Sequence, residues 1–285
     1  MGLCLATVAG AFALAADPPK RVEPPKGLVL YYSFDQAGAD GAVADRSGQN
    51  NHGKASGAKW LSSGKQGGGC EFVADGQHLH VAPSDSLNVK QATLAAWFRT
   101  SKSDAVWRRI LDKRAERGFG LSIAGDAKDL QSRGKVAFAV NGSAPCLSDR
   151  VVADGVWHHV AATFDGENLK IYVDGAPQKQ TVPCRGEIVA NTDPLTIGLN
   201  RSDPSPREKN QSFEGAIDEV MIFNRALSAD EIKAMVTAVD PTAGKAKFTK
   251  QQVIGRLRQL RQLFEEGLLT EEFYAKKVEE CEAGL

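Results

Sequence analysis

The sequence predicts a mainly β protein, a two-sheet antiparallel sandwich followed by a short α-helical hairpin. Three observations predict it. Short runs rich in β-branched and aromatic residues recur through residues 28–238, separated by clusters of Gly, Asn, Asp and Pro. One stretch, Trp157 to Gly175, reads as a strand, an Asp165-Gly166 turn and a second strand. In it Val160, Ala162 and Phe164 share one face, as do Leu169, Ile171 and Val173 on the partner. Beyond Thr249 the apolar spacing changes from two residues to the three and four of a helix.

With 285 residues, 42% of them hydrophobic, and 28 glycines, the chain suits one large turn-rich domain with extras, or two domains. Lys+Arg and Asp+Glu both number 35, a balance that gives no support for broad nucleic-acid or membrane-surface binding. Residues 1–15 are small and apolar and end in Ala13-Leu14-Ala15, which reads as a signal peptide lacking a basic start. The expected location is therefore extracytoplasmic, secreted or periplasmic. No later run of about 18 apolar residues occurs, so no transmembrane span is expected.

Residues 16–27 hold two Pro-Pro pairs and read as an extended spacer. Leu28–Phe34 is the first strand run, with Asp35 at its end. Asp45-Arg-Ser-Gly-Gln-Asn-Asn-His-Gly53 has the composition of a tight loop held by its own side chains. Gly67–Phe72 and His78–Val81 follow as strands. His78 and His80 share a face and could hold a metal, but no third ligand is near in sequence, so solvent-facing histidines are expected. Ala92–Phe98 is an apolar core strand. Ile110–Lys113 pairs with Gly118–Ile123, and Lys135–Val140 alternates up to an Asn141-Gly142 turn.

Leu195–Leu199 is a further strand, and Asn200–Gln211 a long charged loop of the kind that carries binding surfaces. Phe213–Ser228 closes the sandwich. Ser228 with Glu231 forms a capping box, Leu227 with Ile232 a hydrophobic staple, for a helix ending near 236–239. Residues 239–248 are a linker. Thr249 with Gln252, and Phe248 with Val253, repeat the same devices before a second helix. Gly267 stops that helix, and Thr270, Glu271 and Glu272 start a third.

Four cysteines remain once Cys4 is removed with the leader: Cys70, Cys146, Cys184 and Cys281. They allow three full pairings. A Cys146–Cys184 disulfide is preferred for an exported chain, because both residues end predicted strands beside the central hairpin. Two buried reduced cysteines are the alternative.

Four ordered motifs carry a family resemblance: Asp45–Gly53, Ile110-Leu-Asp-Lys with Gly118-Phe-Gly-Leu, Trp157–Gly175, and Gly215–Ser228. Together they resemble laminin G-like domains of the concanavalin A-like lectin/glucanase fold, a jelly roll, over residues 28–238. Leu257–Lys277 resembles the short C-terminal domain called SHOCT, placed at 249–285. The first resemblance implies glycan or protein ligands and one structural calcium ion. Such jelly rolls lay their first and last strands side by side, which would bring Asp35 near Asp218, the candidate metal ligands. For Asp218 a salt bridge or hydrogen bond, for example to Arg225, is the alternative. Trp60 and Trp107, outside the obvious core strands, are the candidates for stacking on sugar, with ordinary packing as the other reading.

Glucanases of this fold set three acids on one strand as E-[IL]-D-x-x-E. This chain offers Glu214 and then Asp218-Glu219, which simple alternation would send to opposite faces. No G-x-S-x-G, H-E-x-x-H, Cys-x-x-Cys or phosphate-cradling loop occurs. On the absence of these motifs, the expectation is a non-catalytic binding module with carbohydrate as its ligand. The alternatives are an adhesion protein that multimerises through residues 249–285, and a degenerate glycoside hydrolase. So short a hairpin buries little area alone, which favours association with a second copy or a partner.

Overall fold

The computed structural model describes residues 23–113, 117–125, 129–200, 211–242 and 250–282. The expected leader, most of the spacer, the Thr249 cap and the tip of the Asn200–Gln211 loop lie outside the described residues.

Two antiparallel sheets face each other. The first runs β14 (Ala176–Pro183), β13 (Asn168–Val173), β12 (Trp157–Phe164), β7 (Ala92–Arg99), β16 (Gly215–Phe223), β5 (Gly69–Phe72), β4 (Lys59–Leu61). Strand β1 (Leu28–Tyr32) pairs with the second half of β16, so the first and last strands do lie side by side. The second sheet runs β11 (Cys146–Val151), β10 (Lys135–Val140), β9 (Phe119–Ile123), β8 (Arg108–Lys113), β15 (Leu195–Ile197), β6 (His78–Val81), β3 (Gly53–Ser56), β2 (Ala42–Val43).

The core lies between the sheets and is built by alternation. In the central hairpin Val160 pairs with Val173, Ala162 with Ile171 and Phe164 with Leu169, all buried. Phe98, Phe72, Leu121, Phe138 and Ile217 meet them from the other strands. Each such side chain contributes roughly 1.5–3 kcal/mol by leaving water. The Asp45 loop is held as its composition suggested: the carboxylate accepts the N–H groups of Tyr31, Ser47 and Asn51, each at 2.9 Å.

One side of the sandwich is closed by side chains instead of a disulfide. The β11 N–H groups of Leu147 and Asp149 donate to the Gln180 and Gln178 amides of β14, at 2.5 and 3.0 Å. In return the Lys179 N–H donates to Asp149 at 2.8 Å. Edge groups satisfied in this way offer no template to another strand. The same clasp corrects the expected Cys146–Cys184 bond, since both are free thiols. Cys146 donates to the Gln180 carbonyl at 3.5 Å and lies against the Val182 backbone, short of Cys184. Burial pushes its thiol up to about 11.

The histidine expectation also needs correcting. His78 is buried and bonded to the Gly76 carbonyl at 2.8 Å, and His80 is half-buried. Strand β6 lies inside its sheet, between β15 and β3, with Ser56 beside His78 and with Lys54 and Thr196 beside His80.

Helix α1 (Ala229–Val239) has its capping box, Ser228 with Glu231, and ends where expected. Leu227 and Ile232 press it onto Ala95, Ala161, Tyr172 and Phe223, on the outer face of the first sheet. Helices α2 (Lys250–Glu265) and α3 (Glu271–Glu282) form the predicted hairpin. Gly267 turns the chain at φ +72°, Thr270 accepts the Phe273 N–H, and Phe264 stacks on Tyr274 with centroids 4.6 Å apart. Among the described residues no helix is long and apolar enough to cross a membrane.

Candidate functional site

Both expected calcium ligands grip the same turn, between β4 and β5. Asp218 accepts the N–H groups of Lys65 and Gln66 at 2.8 and 2.9 Å, and that of Glu219 at 2.8 Å. Asp35 accepts the Gly68 N–H at 3.3 Å and the Ser33 hydroxyl at 2.8 Å, with the Arg46 guanidinium 3.5 Å away. Calcium needs a shell of oxygen ligands. Here N–H dipoles and a guanidinium face the carboxylates, a donor set that holds an anion and does not fit the cation. The Arg225 alternative does not hold either, because Arg225 pairs with Glu231 at 2.6 Å.

Strand β16 bulges at this point, and Glu219 takes φ +51°. Simple alternation therefore fails, and Asp218 and Glu219 both lie on the outer side of the sheet. Glu219 accepts the Tyr31 hydroxyl at 2.7 Å. The two acids are 0% and 4% exposed, closed beneath the turn and the end of α1. Burial pushes the Asp218 carboxyl up to about 7 in spite of its three N–H bonds, and the Glu219 charge adds to the rise.

Lys65 spans the next stretch of this face. Its ammonium lies 4.3 Å from the Trp97 ring centroid and 2.6 Å from Asp240, at the end of α1. Trp97 meets His159 edge-on at 5.3 Å. Burial holds His159 down to about 4, so it stays neutral. The helix-covered part of the face ends here.

Past Lys65 a row of side chains crosses five strands in register: Trp157, Arg99, Ala216, Glu71 and Lys59. Their neighbours Phe98, Ile217, Cys70 and Trp60 point into the core, so the row points outward. Arg99 lies over the Trp157 ring at 5.4 Å. Trp157, Arg99 and Glu71 are half-buried, Lys59 is exposed, and exposed Val73 and Val156 flank the row. Gly215 makes the close approach possible: a Cβ there would stand 2.1 Å from the Arg99 carbonyl oxygen. Among the described residues, Arg99, Glu71 and Lys59 make no side-chain hydrogen bond or ion pair.

A family model for the concanavalin A-like lectin/glucanases superfamily matches residues 74–233, more than half of the chain. The chain belongs to this superfamily. Among solved structures it is similar to the binding domain of Paraclostridial Mosquitocidal Protein 1, at 16% identity and TM-score 0.58, covering 74% of this chain and 52% of that one. It is similar to Domain 4 of AbnA, a GH43 extracellular arabinanase from Geobacillus stearothermophilus, in complex with arabinotriose. That match has 16% identity and TM-score 0.57, covering 73% of this chain and 98% of that one. The binding domain of Botulinum Neurotoxin DC in complex with SialylT matches at 14% identity and TM-score 0.57, covering 76% and 52%. The chain spans about half the length of the toxin binding domains, and identities this low show the fold alone.

In this concanavalin A-like sandwich the outer face of the second sheet is organised differently. Thr196, Asp112 and Gly120 follow His80 across it in register. Several polar groups there bind one another: Arg109 donates to Gln211 at 2.8 Å, Asn200 to the same amide at 3.1 Å, and Thr196 to the Leu199 carbonyl at 2.6 Å, while the buried His80 Nδ1 has no partner among the described residues. Trp107 stands half-buried just ahead of β8, two residues from Arg109. Trp60 packs toward the core, 5.7 Å from Phe34. The aromatic with an uncommitted polar neighbour is Trp157, which opens the central hairpin. Its outward phase with His159 and Ala161 was readable; the cross-strand partner Arg99 was not.

Proposed function

We propose that this protein is a non-catalytic glycan-binding module that works outside the cytoplasm, and that Trp157 and Arg99, with Glu71 and Lys59 on the same face, are its sugar contact. One observation carries the reading. Arg99 lies over the half-buried Trp157 indole without an ion pair, and Glu71, opposite in charge, stands unpaired farther along the same face. Half-buried charged side chains without a protein partner are open to water or to a ligand. A saccharide supplies what this row lacks, hydroxyls for the charged ends and an apolar ring face for the indole and the valines. The arabinotriose and SialylT complexes of similar folds support this ligand class. Asp218 and Glu219, the acids nearest a glucanase pattern, are closed to substrate and committed to Tyr31 and the β4–β5 turn.

A glycan array probed with the full chain tests the reading. Retention of a glycan by the wild type and its loss in Trp157→Ala is the expected result. No retention, or retention unchanged in that variant, would overturn it. The absence of sugar release from the retained glycan is the expected outcome for a non-catalytic module.

The hairpin favours a second role, in association. Helices α2 and α3 leave Ile254, Leu263, Leu268 and Phe273 exposed, apolar side chains that a partner helix or a second copy would cover. Sedimentation of the chain with and without residues 243–285 tests this: a shift to monomer on truncation is expected, and an unchanged mass would remove the role.

A further inference from the structure

We infer that Lys113 and Asn191 become joined by a covalent amide bond, an internal cross-link that the folded chain makes without another protein. Lys113 ends β8 and is the one buried lysine among the described residues, 1% exposed. Its Nζ donates to Asn191 Oδ1 at 2.7 Å, to the Asn191 main-chain carbonyl at 3.0 Å and to Asn88 Oδ1 at 3.2 Å. All three acceptors are neutral amide oxygens. A buried ammonium is costly unless an opposite charge meets it, and no carboxylate pairs with Lys113 among the described residues. Burial lowers the pKa of Lys113, against the opposing charge of Asp193, and so favours the free amine over the ammonium of an exposed lysine.

The nearest oxygen belongs to an amide that is held for attack. A C=O bond is about 1.2 Å long, so Asn191 Cγ lies within roughly 4 Å of the amine. That is near the roughly 3–3.5 Å of a productive contact between reacting atoms. The Asp193 N–H donates to the same Oδ1 at 3.1 Å and is aimed at the atom where negative charge develops. Asn191 Nδ2 donates to the carbonyls of Arg117 at 3.0 Å and Val189 at 3.3 Å, which fix the plane of the amide. In the step, the neutral Nζ attacks Cγ, the amine gives up a proton, Nδ2 takes one up, and the Cγ–Nδ2 bond breaks to release ammonia. The Asp193 carboxyl, whose charge acts on Lys113, carries that proton. One amine and one amide become a new amide and ammonia, with no oxidant or reductant required. Asn191 is half-buried, so the ammonia has a way out to water. The buried charge disappears, and the end of β8 is tied to the stretch that leads into its neighbour β15.

Mass spectrometry of the full chain tests the cross-link. After denaturation and digestion with trypsin, the peptides that hold Lys113 and Asn191 are expected as one species, uncut after Lys113. Its mass should be the sum of the two less one ammonia. Lys113→Met keeps a long side chain and removes the amine, so its mass should match its sequence and its unfolding midpoint should fall. Asp193→Asn keeps the N–H and removes the proton carrier, and should be cross-linked in a smaller fraction of molecules. Separate, unmodified peptides in the wild type overturn the inference. Loss of ammonia without joined peptides, as from a cyclised asparagine, overturns it too, and so does a bond from Lys113 to Asn88. Full cross-linking in Asp193→Asn overturns the proton-carrying step.

Discussion

Asp174 and Asp218 sit on the same sheet, both largely shut away from water, and hold their protons in opposite ways. Asp174, 14% exposed, faces two cations: His158 Nδ1 at 2.9 Å and the Arg150 guanidinium. Desolvation pulls its pKa upward, but the His158 bond and charge, with Arg150 and the His159 N–H, outweigh it and hold the carboxyl below its ordinary range. Asp218 receives three N–H bonds and no cation, and desolvation wins, up to about 7. Backbone dipoles satisfy the hydrogen-bonding capacity of a buried carboxylate without matching a full opposite charge. The two histidines of the central hairpin repeat the contrast. His158 lies between Asp154 and Asp174, whose bonds overcome burial and raise it, whereas His159 is buried beside Trp97 and falls to about 4.

The largest way to break this comparison is to remove the carboxylate that has cations. Asp174→Ala leaves His158 and Arg150 facing each other with their shared acid gone. A loss of about 3–5 kcal/mol is expected, read as a drop in the urea midpoint at pH 6. A loss under about 1 kcal/mol would show that solvent replaces the carboxylate and that the cluster is not buried in energetic terms.

The second test compares pH profiles. Asp218 has a folded pKa of about 7, above its ordinary 3.8. Its contribution is therefore full below pH 4 and is lost as pH rises toward and past 7, by an amount on the order of a few kcal/mol. His158, also raised, contributes stability below its ordinary 6.5 that is lost as pH rises through its folded pKa. Asp174, lowered, contributes above its ordinary 3.8 and loses this as pH falls through its folded value. Asp218→Asn should flatten the decline between pH 5 and 8 and leave the acid limb below pH 4 in place. A variant profile parallel to the wild type across the whole range would mean that Asp218 does not titrate there.

These contrasts also mark what the sequence could and could not carry. The alternation of Val160, Ala162 and Phe164 against Leu169, Ile171 and Val173 is local, and it became the observed register. The Ser228–Glu231 cap and the Gly267 stop are local too, and both formed. The failures needed information from distant residues. A bulge at Glu219 put neighbouring acids on one side, where period-two reasoning had separated them. Gln178 and Gln180 closed the edge at which two cysteines had invited a disulfide. The row of Trp157 and Arg99 joins residues 58 positions apart in the chain, and only strand order brings them together. The partners of Asp218 were out of reach as well, because they are the backbone N–H groups of a glycine-rich turn and of Glu219.

Metal addition sharpens the same point more gently. Unfolding midpoints with millimolar calcium and with chelator should coincide, because the groups around Asp35 and Asp218 are N–H donors and the Arg46 cation. A calcium-dependent rise that disappears in Asp218→Ala would show that the turn can open and offer oxygen ligands instead.

The smallest expected effect lies at the helix that covers the Asp218 side of the sheet. Ser228 accepts the Glu231 N–H at 3.2 Å, and the Glu231 carboxylate returns to the Ser228 N–H at 2.9 Å. Its side-chain bond to Arg225 and the Ser228 N–H hold Glu231 down to about 2, but the pair is well exposed and solvent screens most of that interaction. Ser228→Ala should therefore cost about 1 kcal/mol, as for an ordinary cap, far less than Asp174→Ala. A loss several times larger would mean that this cap secures α1 over Ala95, Ala161 and Phe223 as a unit. In that case Asp218 should also become easier to ionise in the same variant, because its cover would have loosened.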